Sequence, residues 1–202
     1  MFKKRLIPPL FLALLLPLLS SCWLPGQFEA IIKIMKNGAF AVEYKGTMDY
    51  APLVYKIKKE GLSQEEQTKQ MAVLERDLRR DSGFQEVSLM GNGRFRVRYR
   101  HDDQIEGTFL YTFVRRNAAI MKVLVGKDGR ASIWIDTLST ENAQRAAALG
   151  LAVNGTVKVI SDLPLLESNA PEKKQQGAAT IYAWRITRYD QTPAPKMILK
   201  MF

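Results

Sequence analysis

The sequence has little of what most catalytic and disulfide-rich proteins depend on. It contains one cysteine and one histidine, so an intramolecular disulfide is excluded and a serine-hydrolase triad has a single possible base. No Walker-type loop and no G-x-G-x-x-G, G-x-S-x-G or H-E-x-x-H motif occurs. No segment recurs with a period of about 20 to 50 residues, which excludes solenoids and propellers. The sequence therefore predicts a protein that is not an enzyme and needs no cofactor.

What is present is the composition of an ordinary globular protein. Of the 202 residues, 47% are hydrophobic and 25% are charged. The formal net charge is +10, from 30 lysines and arginines against 20 acidic residues. A basic chain can be attracted to nucleic acid or to an anionic surface such as a membrane. The N-terminal sequence favours an anionic surface such as a membrane.

The first 21 residues have the parts of a secretory signal peptide. Three cations at positions 3–5 precede an apolar run from Leu6 to Leu19, and two serines close the segment. The run has about 14 residues and contains three prolines, whereas a membrane-spanning helix needs about 20 residues. We therefore expect residues 1–21 to be removed and not to remain as a transmembrane helix.

Cys22, the only cysteine, directly follows Leu19-Ser20-Ser21, and this tetrapeptide resembles the lipobox of bacterial lipoproteins. In that family the cysteine is acylated and becomes the mature N-terminus. Two or three acyl chains bury many methylenes at about 0.8 kcal/mol each, which makes the attachment effectively permanent. The alternative is a buried free thiol in an anchor helix. The resemblance implies lipid attachment at Cys22, a short tether over residues 22–26 and a single domain over residues 27–202.

A lipid at Cys22 implies a location on the extracytoplasmic side of a membrane. The anionic partners available there are lipid headgroups, lipopolysaccharide phosphates or cell-wall polymers, and not nucleic acid. Trp23 stands where the inner-membrane retention signal of enteric lipoproteins has an aspartate. The outer membrane is therefore favoured in a host with two membranes, and a Gram-positive surface lipoprotein is the alternative.

Alternating apolar residues and turn signals predict that the domain is built mainly from β-hairpins. Asn37-Gly38 lies inside an alternating segment at 27–46, and Gly91-Asn92-Gly93 separates the strands expected at 84–90 and 94–100. Further strands are expected at residues 107–114, 118–125, 131–135, 156–160, 179–187 and 196–201. The polar stretch over residues 165–178 is expected to be a mobile loop.

Two segments have the capping signals and the spacing of helices. Ser63 and Glu66 form a capping box before a helix expected at 64–80, and Ser139 begins a shorter helix that ends at Gly150. We therefore expect an α+β fold, in which a mainly antiparallel sheet packs one long and one short helix. Strict alternation of strands and helices is missing, so a doubly wound parallel fold is disfavoured.

The most unusual local pattern places four arginines at every second position of one expected strand. Arg94, Arg96, Arg98 and Arg100 fall on one face, and the apolar residues between them fall on the other. Guanidinium groups bind phosphate in a bidentate manner, so this face is a candidate anion-binding site. The alternative, which we favour about two to one, is a solvated face whose arginines pair with acidic neighbours such as Glu86.

Other chemistry-bearing residues favour structural roles. His101, Asp102 and Asp103 are adjacent in an expected turn, whereas zinc sites take three or four ligands from separated positions, so no metal site is predicted. Aromatic residues that alternate or lie in apolar runs are expected in the core. These residues are Phe109, Tyr111, Phe113, Trp134 and Trp184.

The C-terminal third of the chain resembles the closing part of LppM-type lipoproteins. In that pattern a strand ends near a proline, here Pro164, an asparagine follows, here Asn169, and the next strand carries a tryptophan, here Trp184. An Asn-Gly pair of the pattern is Asn169-Ala170 here. The matching segments are residues 154–159, 162–164, 167–170 and 182–186. The resemblance implies an envelope-facing α+β domain with affinity for lipid or glycolipid headgroups, and it carries over no catalytic residue.

The sequence thus predicts a lipid-anchored, non-enzymatic envelope protein. Its expected ligand is an anionic lipid, a glycolipid or an envelope polymer, contacted by the four arginines. The alternative is a protein-interaction or assembly factor of the envelope, which would dock a partner on the exposed sheet face or on residues 165–178.

Overall fold

The computed structural model describes residues 23–114 and 120–202. The expected signal peptide and Cys22 lie outside the described residues. The described chain combines β-sheets with short helices, and this α+β architecture confirms the predicted fold class at that level. None of its helices is both long and apolar enough to cross a membrane.

The described strands form two sheets. In chain order they are β1 (Trp23–Ile34), β2 (Ala39–Tyr50), β3 (Phe84–Gly91), β4 (Arg94–Gln104), β5 (Phe109–Phe113), β6 (Met121–Val125), β7 (Arg130–Ile135), β8 (Asn154–Ser161), β9 (Leu165–Ser168), β10 (Glu172–Gln176), β11 (Ala179–Ile186) and β12 (Lys196–Lys200). The seven-stranded sheet has the order β10-β11-β8-β1-β2-β4-β3. The five-stranded sheet has the order β5-β6-β7-β12-β9.

The first described strand lies at the centre of the larger sheet. β1 pairs with β2 in an antiparallel hairpin and with β8 in parallel, so it has a hydrogen-bonded neighbour on each side. The register of the β1–β2 hairpin shifts between Pro25 and Phe28, which marks a local bulge. At the other end of β1, the buried Ser161 hydroxyl donates to the Ile34 carbonyl oxygen at 2.6 Å. The parallel β1–β8 pair makes this sheet mixed, and the sequence, which predicted a mainly antiparallel sheet, did not indicate that pair.

The core lies between the two sheets and is rich in aromatic side chains. Phe40 of β2 contacts Phe109 of β5 with ring centroids 4.9 Å apart, and Tyr44 contacts Phe113 at the same separation. Such pairs add about 0.5–1.5 kcal/mol each beyond the area that they bury. Among the aromatics predicted as core, Tyr111, Phe113 and Trp184 are buried, whereas Phe109 and Trp134 are partly exposed.

The helices are α1 (Ala51–Tyr55), continued by a π-helical turn (Lys56–Glu60), α2 (Gln64–Leu78) and α3 (Thr140–Ala148). Of these, α2 and α3 begin where the capping residues predict. The Ser63 hydroxyl accepts a hydrogen bond from the Glu66 backbone N–H at 3.3 Å, and Ser139 accepts one from the Asn142 backbone N–H at 3.3 Å. α2 buries Met71 and Leu78 against the core that it shares with β3.

Three sequence-based expectations need correction. Residues 23–26 are not a tether, because they belong to β1, and Trp23 pairs with Tyr50 of β2. Two helices were expected, but the segment directly after β2, for which no element was predicted, adds α1 and the π-helical turn. Residues 165–178 contain β9 and β10, which join different sheets, where a mobile loop was expected.

The predicted turn at His101 is also wrong, because β4 continues through His101 to Gln104. The extension follows from pairing, since Ala39 at the start of β2 lies opposite Gln104 and holds the end of β4 in the sheet.

Candidate functional site

The four predicted arginines lie together on the outer face of β4. Phe95, Val97 and Tyr99 alternate with them and are buried, so the period of two is confirmed. The neighbouring strands decide what each arginine can bind, because β2 and β3 place their own side chains beside β4 on the same face.

Arg94 is held by a buried carboxylate. Its Nε lies 2.7 Å from Asp49 Oδ1, and its second guanidinium nitrogen lies 3.1 Å from Asp49 Oδ2. Asp49 is only 1% exposed, and its hydrogen bond raises the pKa of Arg94. Because this bidentate pair uses the guanidinium fork, Arg94 serves the fold and is not free to bind a phosphate.

Arg98 and Arg100 also face acidic side chains. Arg100 contacts both carboxylate oxygens of Asp102 at 2.7 Å and Glu43 at 3.0 Å, and its hydrogen bond to Asp102 lowers the pKa of that carboxyl. Arg98 lies 3.5 Å from Glu86, in a looser and more exposed pair. Pairing with acidic neighbours, the alternative that the sequence left open, therefore accounts for three of the four arginines.

Arg96 differs from the other three, because it has no acidic partner among residues 23–114 and 120–202. The residues opposite it are Thr47 on β2 and Ser88 on β3. Lys45, two residues before Thr47 on the same face, makes no ion pair in the described chain. It lies opposite Arg98 on β4 and opposite Glu29 on β1, whose carboxylate pairs with Lys158. The uncompensated positive charge of this face is therefore centred on Arg96 and Lys45.

The sequence did not reveal a cavity of about 260 Å³ that is lined by residues of both sheets. It lies between the start of β1 and the segments next to β6, β7 and β11. Its apolar walls come from aromatic and aliphatic side chains, among them Trp23, Phe28, Ile120, Ile135, Val153 and Ile186. Ligand pockets in proteins are about 300–1,000 Å³, so this volume suits one slender apolar group.

Polar groups line the rest of the cavity. The Tyr189 hydroxyl donates to the Pro25 carbonyl oxygen at 2.9 Å, and burial raises the pKa of Tyr189. Lys122 pairs with Asp136 at 2.6 Å, and Arg188 pairs with Asp190 at 3.0 Å. Because each cation has its own carboxylate, the cavity carries little net charge, and its polar groups favour hydrogen bonding over the capture of a bare anion.

The cavity also adjoins the expected site of lipid attachment. Trp23 and Leu24, which line it, immediately follow Cys22 in the sequence. Cys22 itself lies outside the described residues. The sequence predicted these two residues as part of a tether, and no sequence signal indicates a cavity, because its lining comes from residues that are far apart in the chain.

Two further expectations concern His101 and the C-terminal third. His101 lies 3.7 Å from Asp103, and no cluster of three potential metal ligands occurs among the described residues. Asn169 and Trp184, both part of the noted resemblance, contact each other: the indole N–H donates to the Asn169 side-chain oxygen at 2.9 Å. The same oxygen accepts from the Lys196 backbone N–H at 2.9 Å, so Asn169 links β9, β11 and β12.

Comparison with known proteins shows a weak similarity of structure and none of sequence. No protein-family model and no curated protein sequence matches the chain. Among solved structures, the chain is similar to the folded domain of LppM from Mycobacterium tuberculosis, determined by NMR. The TM-score is 0.36 and the identity 8%, over 89% of this chain and 88% of that chain. A similarity of this size carries no argument about function.

Proposed function

We propose that this chain is a lipid-anchored, non-enzymatic protein of the cell envelope that holds one apolar chain of a lipid or glycolipid in the cavity between its sheets. The observation that carries the proposal is the apolar lining of that cavity, with Trp23 and Leu24, the residues after Cys22, in its wall. The anchor itself rests on the sequence before Trp23.

The cavity walls match the chemistry of an acyl or isoprenoid chain. Burying apolar surface gains about 25 cal/mol per Å², and a cavity that already exists spares the cost of forming one. Thr137 and the Tyr189 hydroxyl, which donates to Pro25 and can still accept, supply hydrogen-bonding groups for a headgroup. Since Lys122 and Arg188 are paired with carboxylates, a sugar or ester headgroup fits this end as well as a phosphate does.

Filling the cavity tests the proposal. Leu138 lines the cavity of about 260 Å³ and is only partly exposed, so Leu138→Trp should fill space with little strain and weaken binding of a fluorescent C8 fatty acid by at least about tenfold. The control is Leu124→Trp, because Leu124 is 41% exposed on the outer face of the five-stranded sheet. Absence of binding by the parent full-length protein, or equal losses in both variants, contradicts the proposal.

The anchor is tested separately on the protein extracted from its native membranes. Intact-mass spectrometry should show the loss of residues 1–21 and acyl chains on Cys22. A chain that retains residues 1–21 or carries an unmodified Cys22 would remove the anchor and leave the cavity result standing. Outer-membrane sorting, in a host with two membranes, is the accompanying expectation from Trp23.

A second contact with an anionic membrane is proposed at Arg96 of β4 and Lys45 of β2, two nearby cations on one sheet face that make no ion pair in the described chain. Arg96→Gln with Lys45→Gln should reduce salt-sensitive sedimentation of the protein with vesicles of phosphatidylglycerol. Lys200→Gln with Lys127→Gln removes the same charge elsewhere and should have no effect. Equal binding by the parent and the Arg96 variant would exclude this face.

The alternative function, an assembly factor of the envelope, stays a prediction. Cross-linking in intact cells would favour it if a single protein adduct formed in stoichiometric amounts.

A further inference from the structure

The two sheets leave four edge strands, and these edges differ in how they are protected from pairing with another strand. Exposed backbone N–H and C=O groups on an edge can pair with a further strand, and proteins block this with charges, bulges, prolines or very short strands. β10 contains two lysines and a glutamate. β3 contains Glu86 and two register irregularities, and β9 has four residues and follows Pro164.

β5 has none of these protections. Its sequence, Phe109-Leu110-Tyr111-Thr112-Phe113, contains no charge and no proline, and it pairs with β6 in regular register over all five residues. No other strand of the described chain pairs with β5, whose backbone hydrogen bonds within the described residues go to β6 and to Ile120. One side of this strand is therefore available for pairing.

Packing against the other sheet holds β5 in the extended conformation that pairing requires. Tyr111 and Phe113 are buried against the seven-stranded sheet, where the Phe113 ring lies 4.8 Å from Tyr99 and the Tyr111 ring lies 5.2 Å from Phe40. A preformed strand loses little conformational entropy when another strand adds to it. Adding a strand to this edge therefore costs less conformational entropy than adding one to a flexible segment would.

The outer face of β5 carries an exposed leucine. Leu110 is 55% exposed and lies opposite Leu124, and the same row continues through Ser132 and Ile198 to Glu167. A strand added beside β5 would extend this row and cover Leu110.

We propose that β5 is a homodimer interface, in which two copies of the chain pair their β5 strands antiparallel about a two-fold axis and join their five-stranded sheets. The absence of charge on β5 makes a second copy of the chain a compatible partner. An uncharged strand can face its own copy without repulsion, whereas β10 would bring like charges together. In a register centred on Tyr111, Leu110 of each copy lies beside Thr112 of the other.

The test is the oligomeric state of the full-length protein in a mild detergent, measured by analytical ultracentrifugation over a range of concentrations. Leu110→Lys should weaken the dimer by at least about tenfold, because an edge lysine blocks strand addition. Leu124→Lys is the matched control, since it changes the neighbouring exposed leucine on the same face but in an interior strand. Circular dichroism checks that both variants fold.

A second variant tests the register. Leu110→Cys combined with Thr112→Cys should form a disulfide between copies under mild oxidation, whereas the Leu124→Cys variant should not. The proposal is overturned if the parent sediments as a monomer throughout, if β5 is instead occupied by a different protein, or if Leu124→Lys dissociates the dimer as strongly as Leu110→Lys. The cavity and the anchor play no part in this interface, so their tests are independent of it.

Discussion

At the scale of single residues, the pair formed by Asp49 and Arg94 ties the end of β2 to the start of β4. Asp49 is almost completely buried, whereas the side chain of Arg94 is 40% exposed. A buried carboxylate needs a partner, because its desolvation costs several kcal/mol when it is left alone. The turn before Arg94 adds a second tie, since the Tyr50 backbone N–H donates to the Gly93 carbonyl oxygen at 2.8 Å.

Replacing Arg94 should show how strongly the stability of the fold depends on its pair with Asp49. Arg94→Gln is expected to lower the free energy of unfolding by about 2–3 kcal/mol, somewhat less than the loss of a fully buried partner, because Arg94 reaches solvent. Urea denaturation measures the change. Arg96→Gln, two residues further along the same face, should alter stability by less than about 0.5 kcal/mol.

The double variant separates the charge from the loss of contacts. Asp49→Asn added to Arg94→Gln removes the buried charge, so it should restore part of the stability that Arg94→Gln loses. If both arginine variants were equally stable, Asp49 would not depend on Arg94.

At the scale of elements, local signals predicted most strands and helix starts. Ser63 and Ser139 cap the helices as their spacing indicates, because capping needs only a side-chain oxygen a few residues from a backbone N–H. The alternation of Phe95, Val97 and Tyr99 with arginines placed the two faces of β4 correctly. These features depend on neighbours in sequence, which a single chain displays.

The elements that the sequence did not predict depend on distant partners. β9 and β10 are short and mostly exposed, and they are strands because β12 and β11 offer them edges to pair with. The parallel pairing of β1 with β8 joins residues that lie more than a hundred positions apart. The cavity has the same origin, since Trp23 and Ile186 reach it from opposite ends of the chain.

At the scale of the whole molecule, the described core contains several buried tyrosines. Burial is the main cause that raises the pKa of four of them, and the effect is to hold each hydroxyl protonated in the folded state. They are Tyr44, Tyr99, Tyr111 and Tyr189. An unfolded tyrosine ionises near its ordinary pKa of about 10, so the unfolded state releases these protons first as pH rises.

The sign of the pH dependence follows from this difference. The contribution of each tyrosine is complete below about pH 10 and decreases above it, by up to about 1.4 kcal/mol per pH unit, until the folded pKa is reached. We expect the free energy of unfolding to fall above about pH 10 and Tyr189→Phe to fall less steeply, as denaturant titrations at several pH values would measure. Tyr55→Phe, at a more exposed position, is the control, and identical slopes for the parent and Tyr189→Phe would contradict the prediction.

The central place of β1 also has a mechanical consequence. If Cys22 is the point of attachment, any force between the membrane and the domain enters through the N-terminus of β1. Its first residues pair with β2 alone, and from Gln27 onward the strand is hydrogen-bonded to both β2 and β8, so a pull that reaches Gln27 acts along two ladders at once and does not unzip an edge strand one bond at a time. Resistance to such a pull is governed by the rate of unfolding and not by the equilibrium stability. The membrane anchor would thus hold the domain through a strand in the middle of its larger sheet.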